Sequence, residues 1–252
     1  MTKILLVGCN GRMGKVITEL AAADADAEIT AGVDVAGESC GKYPVSASFD
    51  DVSADVDVIV DFSSPVVFDK MLDYALGKKL PVVVCTTGLS ETQIARLDEA
   101  SKEIAVLRSA NMSLGINLLI KLVKEATQTL SKAGFDIEIV ERHHNQKKDA
   151  PSGTALMLAD SVREGMGGEC EYVYDRTGRL QKRDPKEVGI SAVRGGTIPG
   201  THEVIFAGTD EVIELNHMAY SRSIFGKGAV SAAKFLAGKR EGYYSMADVI
   251  GS

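Results

Sequence analysis

The sequence predicts an α/β chain of two domains: a doubly wound parallel sheet, then a second α+β domain with a mixed sheet. Three observations predict it. Short apolar runs alternate with helix-spaced segments through roughly the first 110 residues. A glycine-rich turn stands between the first strand and the first helix. After residue 111 the alternation gives way to one long amphipathic segment and then to strands separated by glycine turns.

Lys3–Val7, Glu28–Val33, Val56–Asp61, Pro81–Cys85 and Ile104–Leu107 read as strands, and Arg12–Ala23, Val66–Leu76 and Glu91–Ser101 as helices between them. Repeated βα units imply a parallel sheet with helices on both faces. Asn117–Leu130 reads as a helix with Leu118, Leu119, Leu122, Val123 and Ala126 on its apolar stripe. Phe135–Glu141 alternates as a strand, a helix begins at Ser152, and Ile190–Val193, Glu203–Ala207 and Val212–Asn216 are strand-like. Gly228–Leu236 reads as a closing helix. The expected division is a dinucleotide-binding domain over 1–111, with 224–252 packing back onto it, and a substrate-binding and oligomerisation domain over 112–223.

Bulk properties exclude several functions. The chain has 252 residues, a net charge of −7 and no Trp. It has no global basic field for nucleic acid or an anionic membrane, and no apolar run long enough to cross a bilayer. Met1–Gly8 is too quickly interrupted for a signal peptide. Cys9, Cys40, Cys85 and Cys170 are widely spread and form no CxxC pair, which argues for a reducing cytoplasm and against zinc or disulfides. Beside glycine turns, Cys9 and Cys85 read as small residues tolerated near a ligand rather than nucleophiles.

Gly8-Cys9-Asn10-Gly11-Arg12-Met13-Gly14 follows the first strand and opens the first helix. Backbone N–H groups of a tight turn can approach a pyrophosphate there, and the helix N-terminus favours its charge. The spacing is G-x-x-G-x-x-G, with Cys9 at the first glycine of the fuller G-x-G-x-x-G pattern. Asp34 lies at the end of the second strand, about 20 residues past Gly14, where a carboxylate can accept from ribose hydroxyls. The same carboxylate repels a 2′-phosphate, so NADH is the expected preference, with NADPH tolerated through Arg12. Turns at Asp61–Ser64, Cys85-Thr86-Thr87-Gly88 and Ser109-Ala110-Asn111-Met112 fall at later strand ends, where ligands of open α/β sheets bind.

All four histidines, His143, His144, His202 and His217, lie in the second domain. His143 and His144 follow a strand with side chains directed to different sides, a poor arrangement for one metal, so no metal is expected. Histidine can give or take a proton near neutrality, and Lys147 adds a positive charge or a second proton. Pro151-Ser152-Gly153-Thr154-Ala155 starts a helix: Ser152 is a natural cap, Gly153 lets a ligand approach, and the amides with the Thr154 hydroxyl suit a carboxylate. A bare helix cap is the bland alternative; histidines and a lysine just before it favour an anion-binding, proton-transferring site. The substrate expected is a small, dicarboxylic acid with an electrophilic centre, reduced by a nicotinamide cofactor. A different two-domain dehydrogenase, or a dinucleotide-sensing regulator, shares the glycine turn but leaves His143–Thr154 without a purpose.

The segment His143-His144-x-x-Lys147-x-Asp149-Ala150-Pro151-Ser152-Gly153-Thr154-Ala155 resembles the signature of the dihydrodipicolinate reductase family. Gly8–Gly14, Asp61–Ser63, Thr86–Gly88, Asn111–Gly115, Arg194–Gly196 and Gly242–Asp248 stand in that family's order, so the resemblance spans essentially the whole chain. It implies a Rossmann-type domain, a mixed-sheet domain and a homotetramer. It implies NAD(P)H-dependent reduction of 4-hydroxy-tetrahydrodipicolinate to tetrahydrodipicolinate, in the diaminopimelate route to lysine. Hydride goes to C4 of the ring, with water loss and protonation. By the same resemblance His143 is the proton donor or acceptor and Lys147 a second donor. His144, Ser152, Gly153 and Thr154 surround the dicarboxylate. Gly8, Cys9, Asn10, Gly11, Arg12, Met13, Asp34, Cys85, Thr86, Thr87, Ser109, Ala110, Asn111 and Met112 occupy nucleotide-contact positions. Cys85 stands where the family often has Gly, and no basic residue follows Asp34. Arg194 and Arg222 could reach the substrate, but an arginine beside a glycine turn more often packs a domain, so both stay outside the expected site.

Overall fold

The computed structural model describes residues 1–37 and 41–251, so Cys40 lies outside the described residues. The chain divides into two compact units, Met1–Leu114 with Arg222–Ser252, and Gly115–Ser221.

In the first unit, β1 (Thr2–Val7), β2 (Ala27–Val33), β3 (Val45–Ser46), β4 (Val58–Asp61), β5 (Val82–Val84), β6 (Ala105–Arg108) and β12 (Gly242–Tyr244) form one sheet. Its order is β12-β6-β5-β4-β1-β2-β3, and every pairing among the described residues is parallel. The order reverses at β1, which puts a crevice beyond the C-terminal ends of β1 and β4.

Alternate residues of these strands feed two apolar layers. Ile4, Leu6, Val58, Val60 and Leu107 face α1 (Arg12–Ala22) and α6 (Ser223–Leu236), through Ile17, Ala21, Ala229, Ala233 and Leu236. Leu5, Val7, Ile59, Val82 and Val84 face α2 (Pro65–Lys78) and α3 (Glu91–Ala100), through Phe68, Leu72 and Leu97. Each Leu- or Phe-sized side chain so buried contributes about 1.5–3 kcal/mol, so the sheet is held from both faces. Gly228 explains why Met112 belongs to this unit: a Cβ there would fall 1.6 Å from the Met112 carbonyl oxygen, so α6 lies directly on that loop.

In the second unit, β7 (Asp136–His143), β8 (Glu171–Val173), β9 (Glu187–Arg194), β10 (Thr201–Ala207) and β11 (Val212–Met218) form a mixed sheet ordered β11-β10-β7-β9-β8. β7 and β8 run parallel to β9, whereas β10 is antiparallel to β7 and β11. One face carries α4 (Leu114–Leu130) and α5 (Gly153–Gly165), whose Ile116, Leu119, Val123, Leu158 and Val162 cover Ile137, Ile139, Val188, Ile190, Val204 and Phe206. The short helix α7 (Met246–Ile250) belongs to the first unit, where Met246 joins the layer of α1 and α6. The expected pairing of a parallel sheet with a mixed second sheet is what the chain forms.

Three details differ from the sequence reading. α4 begins at Leu114, and its buried stripe is Ile116, Leu119, Val123 and Thr127; Leu118 and Leu122 are 43% and 41% exposed. Leucines stand on both sides of this helix, so spacing alone did not choose the covered side. β3, β8 and β12 are strands of two or three residues, too short to leave a periodic signal. His143 is the last residue of β7 rather than a residue beyond it.

Candidate active site

The glycine turn is built by close approach. Gly8 has φ +79°, and a Cβ on it would lie 2.6 Å from the Phe62 carbonyl oxygen beyond β4. A Cβ on Gly14 would lie 2.3 Å from the Cys9 carbonyl and 2.4 Å from that of Gly8, so the turn rests on the first turn of α1. Gly11 caps α1 without a side-chain hydrogen bond, and Arg12 and Gly11 are exposed. Any side chain at these glycines would fill the cradle, and the helix start keeps its N–H groups for an anion. The Asn10 N–H donates to Asp34 Oδ2 at 3.1 Å and the Ala36 N–H to Oδ1 at 3.2 Å, which fixes the carboxylate just past β2. A dinucleotide fits this arrangement.

The other expected nucleotide-contact residues fall on the same C-terminal edge of the sheet, after β5 and β6. Thr87 and Ala110 are exposed; Thr86, Asn111 and Met112 are buried. The Ser109 hydroxyl donates to the Asn111 carbonyl at 2.8 Å, and Asn111 Oδ1 accepts from the Ser113 N–H at 2.9 Å, so this loop is stiffened from within. Neither Cys9 nor Cys85 presents its thiol at this edge. Cys9 packs its sulfur into the core beside Gly32, and Cys85 is buried, with a thiol pushed well up by burial and by Asp61 nearby. Asp61 itself is fully buried; burial raises its carboxyl, and Oδ1 accepts from the Ser63 N–H and hydroxyl.

In the second unit the period of two along β7 puts Glu141 and His143 on one face, and His144 turns off it. Glu141 is completely buried, and its Oε2 lies 2.6 Å from His143 Nδ1. Parallel pairing of β7 with β9 sets Arg194 opposite His143. From there the guanidinium grips Glu141 with both arms, at 2.7 Å to Oε2 and 2.8 Å to Oε1. It also donates to the Asp149 carbonyl at 2.6 Å. Glu141 Oε1 accepts the Ser152 N–H at 2.9 Å, at the cap of α5.

His202 of β10 completes the cluster. Its ring meets that of His143 edge-on at 5.1 Å, and its Nε2 lies 3.1 Å from Ser152 Oγ. Ser152 Oγ also accepts the Ala155 N–H at 3.2 Å. The Ser152 hydroxyl is thus engaged by α5 and His202, while Gly153 is exposed with open space where a side chain would be. Lys147 Nζ pairs with Asp149 at 2.9 Å, and His144 Nδ1 is buried without a hydrogen-bond partner.

The charges follow from these contacts. Burial alone would raise the Glu141 carboxyl, but Arg194, His143 and the Ser152 N–H hold it below its usual range. Burial lowers the His143 pKa, opposed by Glu141 and reinforced by Lys147 and Arg194. His202 is pushed down to about 3 by burial and by His143 beside it, so it stays neutral.

Sequence reasoning named His143, His144, Lys147 and the Ser152–Thr154 cap, and the structure gathers His143 and Ser152 around one carboxylate. It placed Glu141 at the start of the catalytic segment and His202 in the same domain without a role for either, and it left Arg194 outside the site. The available signal was the alternation itself, because residue 141 must share a face with residue 143.

A parallel sheet with a glycine turn at its switch point, joined to a mixed-sheet unit, defines the class: a two-domain NAD(P)H-dependent oxidoreductase. The family described as dihydrodipicolinate reductase, N-terminus, matches residues 2–112, and its C-terminus counterpart matches residues 115–250. The chain is 51% identical over 250 residues to the 4-hydroxy-tetrahydrodipicolinate reductase of Caldanaerobacter subterraneus subsp. tengcongensis, across 99% of this chain and 98% of that one. It is 47% identical to the enzyme of that name from Clostridium tetani, across 98% and 96%. A solved structure, dipicolinate-bound dihydrodipicolinate reductase from Paenisporosarcina sp. TG-14, shares the fold with a TM-score of 0.81 over 97% of each chain, at 21% identity. The chain belongs to the dihydrodipicolinate reductase family.

Proposed function

We propose that this chain reduces 4-hydroxy-tetrahydrodipicolinate to tetrahydrodipicolinate in the diaminopimelate route to lysine, with His143 transferring the proton. What carries the reading is His143 itself, a buried imidazole held by a carboxylate and followed by a helix cap that can take an anion. Full-length relation to reductases of that name supplies the substrate.

Gly8 to Met13, Asp34, Cys85 to Thr87 and Ser109 to Met112 would hold the dinucleotide, the cysteines through their backbone. When bound, its reduced nicotinamide supplies the hydride. His143 takes up a proton at Nε2 to become the imidazolium and from there gives it to the substrate, and Lys147 is a second donor. The α5 amides at Gly153 and Thr154, with His144 and Lys147, hold the carboxylates. Ser152 supports the cradle rather than touching the ligand through its hydroxyl, because that oxygen is already engaged.

Asp34 favours NADH over NADPH, since its fixed carboxylate repels a 2′-phosphate and Val35 beside it is exposed and uncharged. The reading includes a homotetramer, which rests on the resemblance, and a cytoplasmic setting, supported by Cys85 and Cys170, which stand in no disulfide among the described residues. Among the described residues no helix is long and apolar enough to cross a membrane.

The test is NADH oxidation, followed by absorbance, with freshly made substrate, then with NADPH. Turnover with kcat/KM higher for NADH is the expected result. Intact NADH binding without turnover would leave the chain a dinucleotide sensor, and a strong NADPH preference would remove the argument from Asp34.

A further inference from the structure

We infer that Glu141 is the positioning residue for His143, and that Arg194 holds Glu141 in place for that task. This rests on His143 being the proton-transferring group. The geometry leaves Glu141 one arrangement. Its Oε2 faces His143 Nδ1 at 2.6 Å, a short distance for a hydrogen bond to an ionised acceptor. Its Oε1 takes the Ser152 N–H, and the guanidinium of Arg194 spans both oxygens. With no exposed surface, the carboxylate cannot turn toward water.

A carboxylate at Nδ1 requires the proton there, so neutral His143 carries its lone pair at Nε2. Nε2 then becomes the atom that takes up and releases the proton, as the imidazole of a serine-protease triad is oriented by its aspartate. Nε2 lies toward Gly200, where an added Cβ would come within 3.1 Å, so the absence of a side chain there leaves that nitrogen room. The charged and titratable groups facing His143 are Glu141 on its own strand, Arg194 from β9, His202 from β10 and Lys147 from the following loop. Only Glu141 among them is an anion, so it alone favours the imidazolium.

The same carboxylate joins two tasks. Through His143 it sets the proton, and through the Ser152 N–H it sets the cap of α5, whose next residues are Gly153 and Thr154. Arg194 adds the Asp149 carbonyl, which fixes the segment between them. Removing the charge should therefore disturb proton transfer more than dinucleotide affinity.

The experiment begins on the unaltered full-length protein. Nitrogen-15 NMR, with the His143 signal assigned by its loss in His143→Ala, should report the Nδ1–H tautomer; an Nε2–H tautomer overturns the inference without any variant needing to fold. Glu141→Gln should then lower the His143 pKa by about a unit or more, shift the corresponding limb of the kcat–pH profile to lower pH, and cut kcat at least about tenfold. NADH affinity should hold. Glu141→Asp, which restores the charge, should move the limb back toward the original. A Glu141→Gln enzyme with unchanged tautomer, pKa and kcat overturns the inference while leaving the role of His143 intact. If His143→Ala keeps full kcat, the proton-transfer reading itself fails, and Glu141 loses its catalytic purpose with it.

Discussion

The two functional regions are built by opposite means. The turn at Gly8–Gly14 is built from backbone: two glycines let the chain pack against itself, and the proposed dinucleotide recognition rests on N–H groups and a helix end. The cluster around His143 works through side chains brought from β7, β9, β10 and the α5 cap, locked by a buried carboxylate. A backbone site fails when a methyl group is added. A side-chain site fails when a charge or a proton is misplaced.

The largest effect expected from breaking this contrast is on chemistry. His143→Ala should lower kcat by roughly 10²- to 10⁴-fold, the range for losing a general acid or base. NADH affinity, measured by fluorescence titration, should stay nearly unchanged. A variant with unaltered kcat removes His143 from its role, and one with lost NADH affinity breaks the separation of the two regions.

A smaller effect is expected at the turn. In Gly14→Ala the new methyl meets two carbonyl oxygens of the Gly8–Cys9 backbone, which cannot move without displacing the turn from β1. NADH Kd should rise by roughly tenfold or more, equivalent to about 1.4 kcal/mol. The His143 tautomer should be unaffected. Unchanged NADH binding would show that the turn tolerates a displacement its packing forbids.

The last is read in stability rather than in binding or turnover, and it tests the side-chain site as a buried, neutral-histidine environment. His202 has a folded pKa of about 3 against an ordinary 6.5. Between those values the unfolded chain binds a proton that the folded chain does not. Its contribution is therefore complete above pH 6.5 and falls as the solution is acidified, by about 1.4 kcal/mol per unit. Urea unfolding at pH 7, 5.5 and 4.5 should show this slope in the original protein and a shallower one in His202→Gln. Equal slopes would mean that His202 is not held neutral by burial.

Much of this could be read from the chain in order. The βα alternation of residues 2–108 needs no partner to be recognised, because β1, β4, β5 and β6 bury residues on both faces and the helices between carry apolar stripes. The glycine turn and Asp34 are likewise local spacing. Where spacing was ambiguous the reading was right in part: Leu119, Val123 and Ala126 of the expected α4 stripe meet the sheet, but Leu118 and Leu122 do not, and Ile116 joins in their place. Strands of two or three residues left no pattern at all.

Neighbouring residues alone sufficed to read the fold class, the glycine turn and the run of histidines, lysine and helix cap, since these are local patterns. What holds His143 emerges only when distant strands pair. Glu141 and Arg194 are 53 positions apart, and their meeting depends on the parallel register of β7 with β9. His202, also remote in sequence, arrives through the antiparallel pairing of β10. Burial of a charge is likewise a property of the packed molecule: at position 141 a glutamate looks like any strand carboxylate until its surroundings remove all water and supply an arginine in its place.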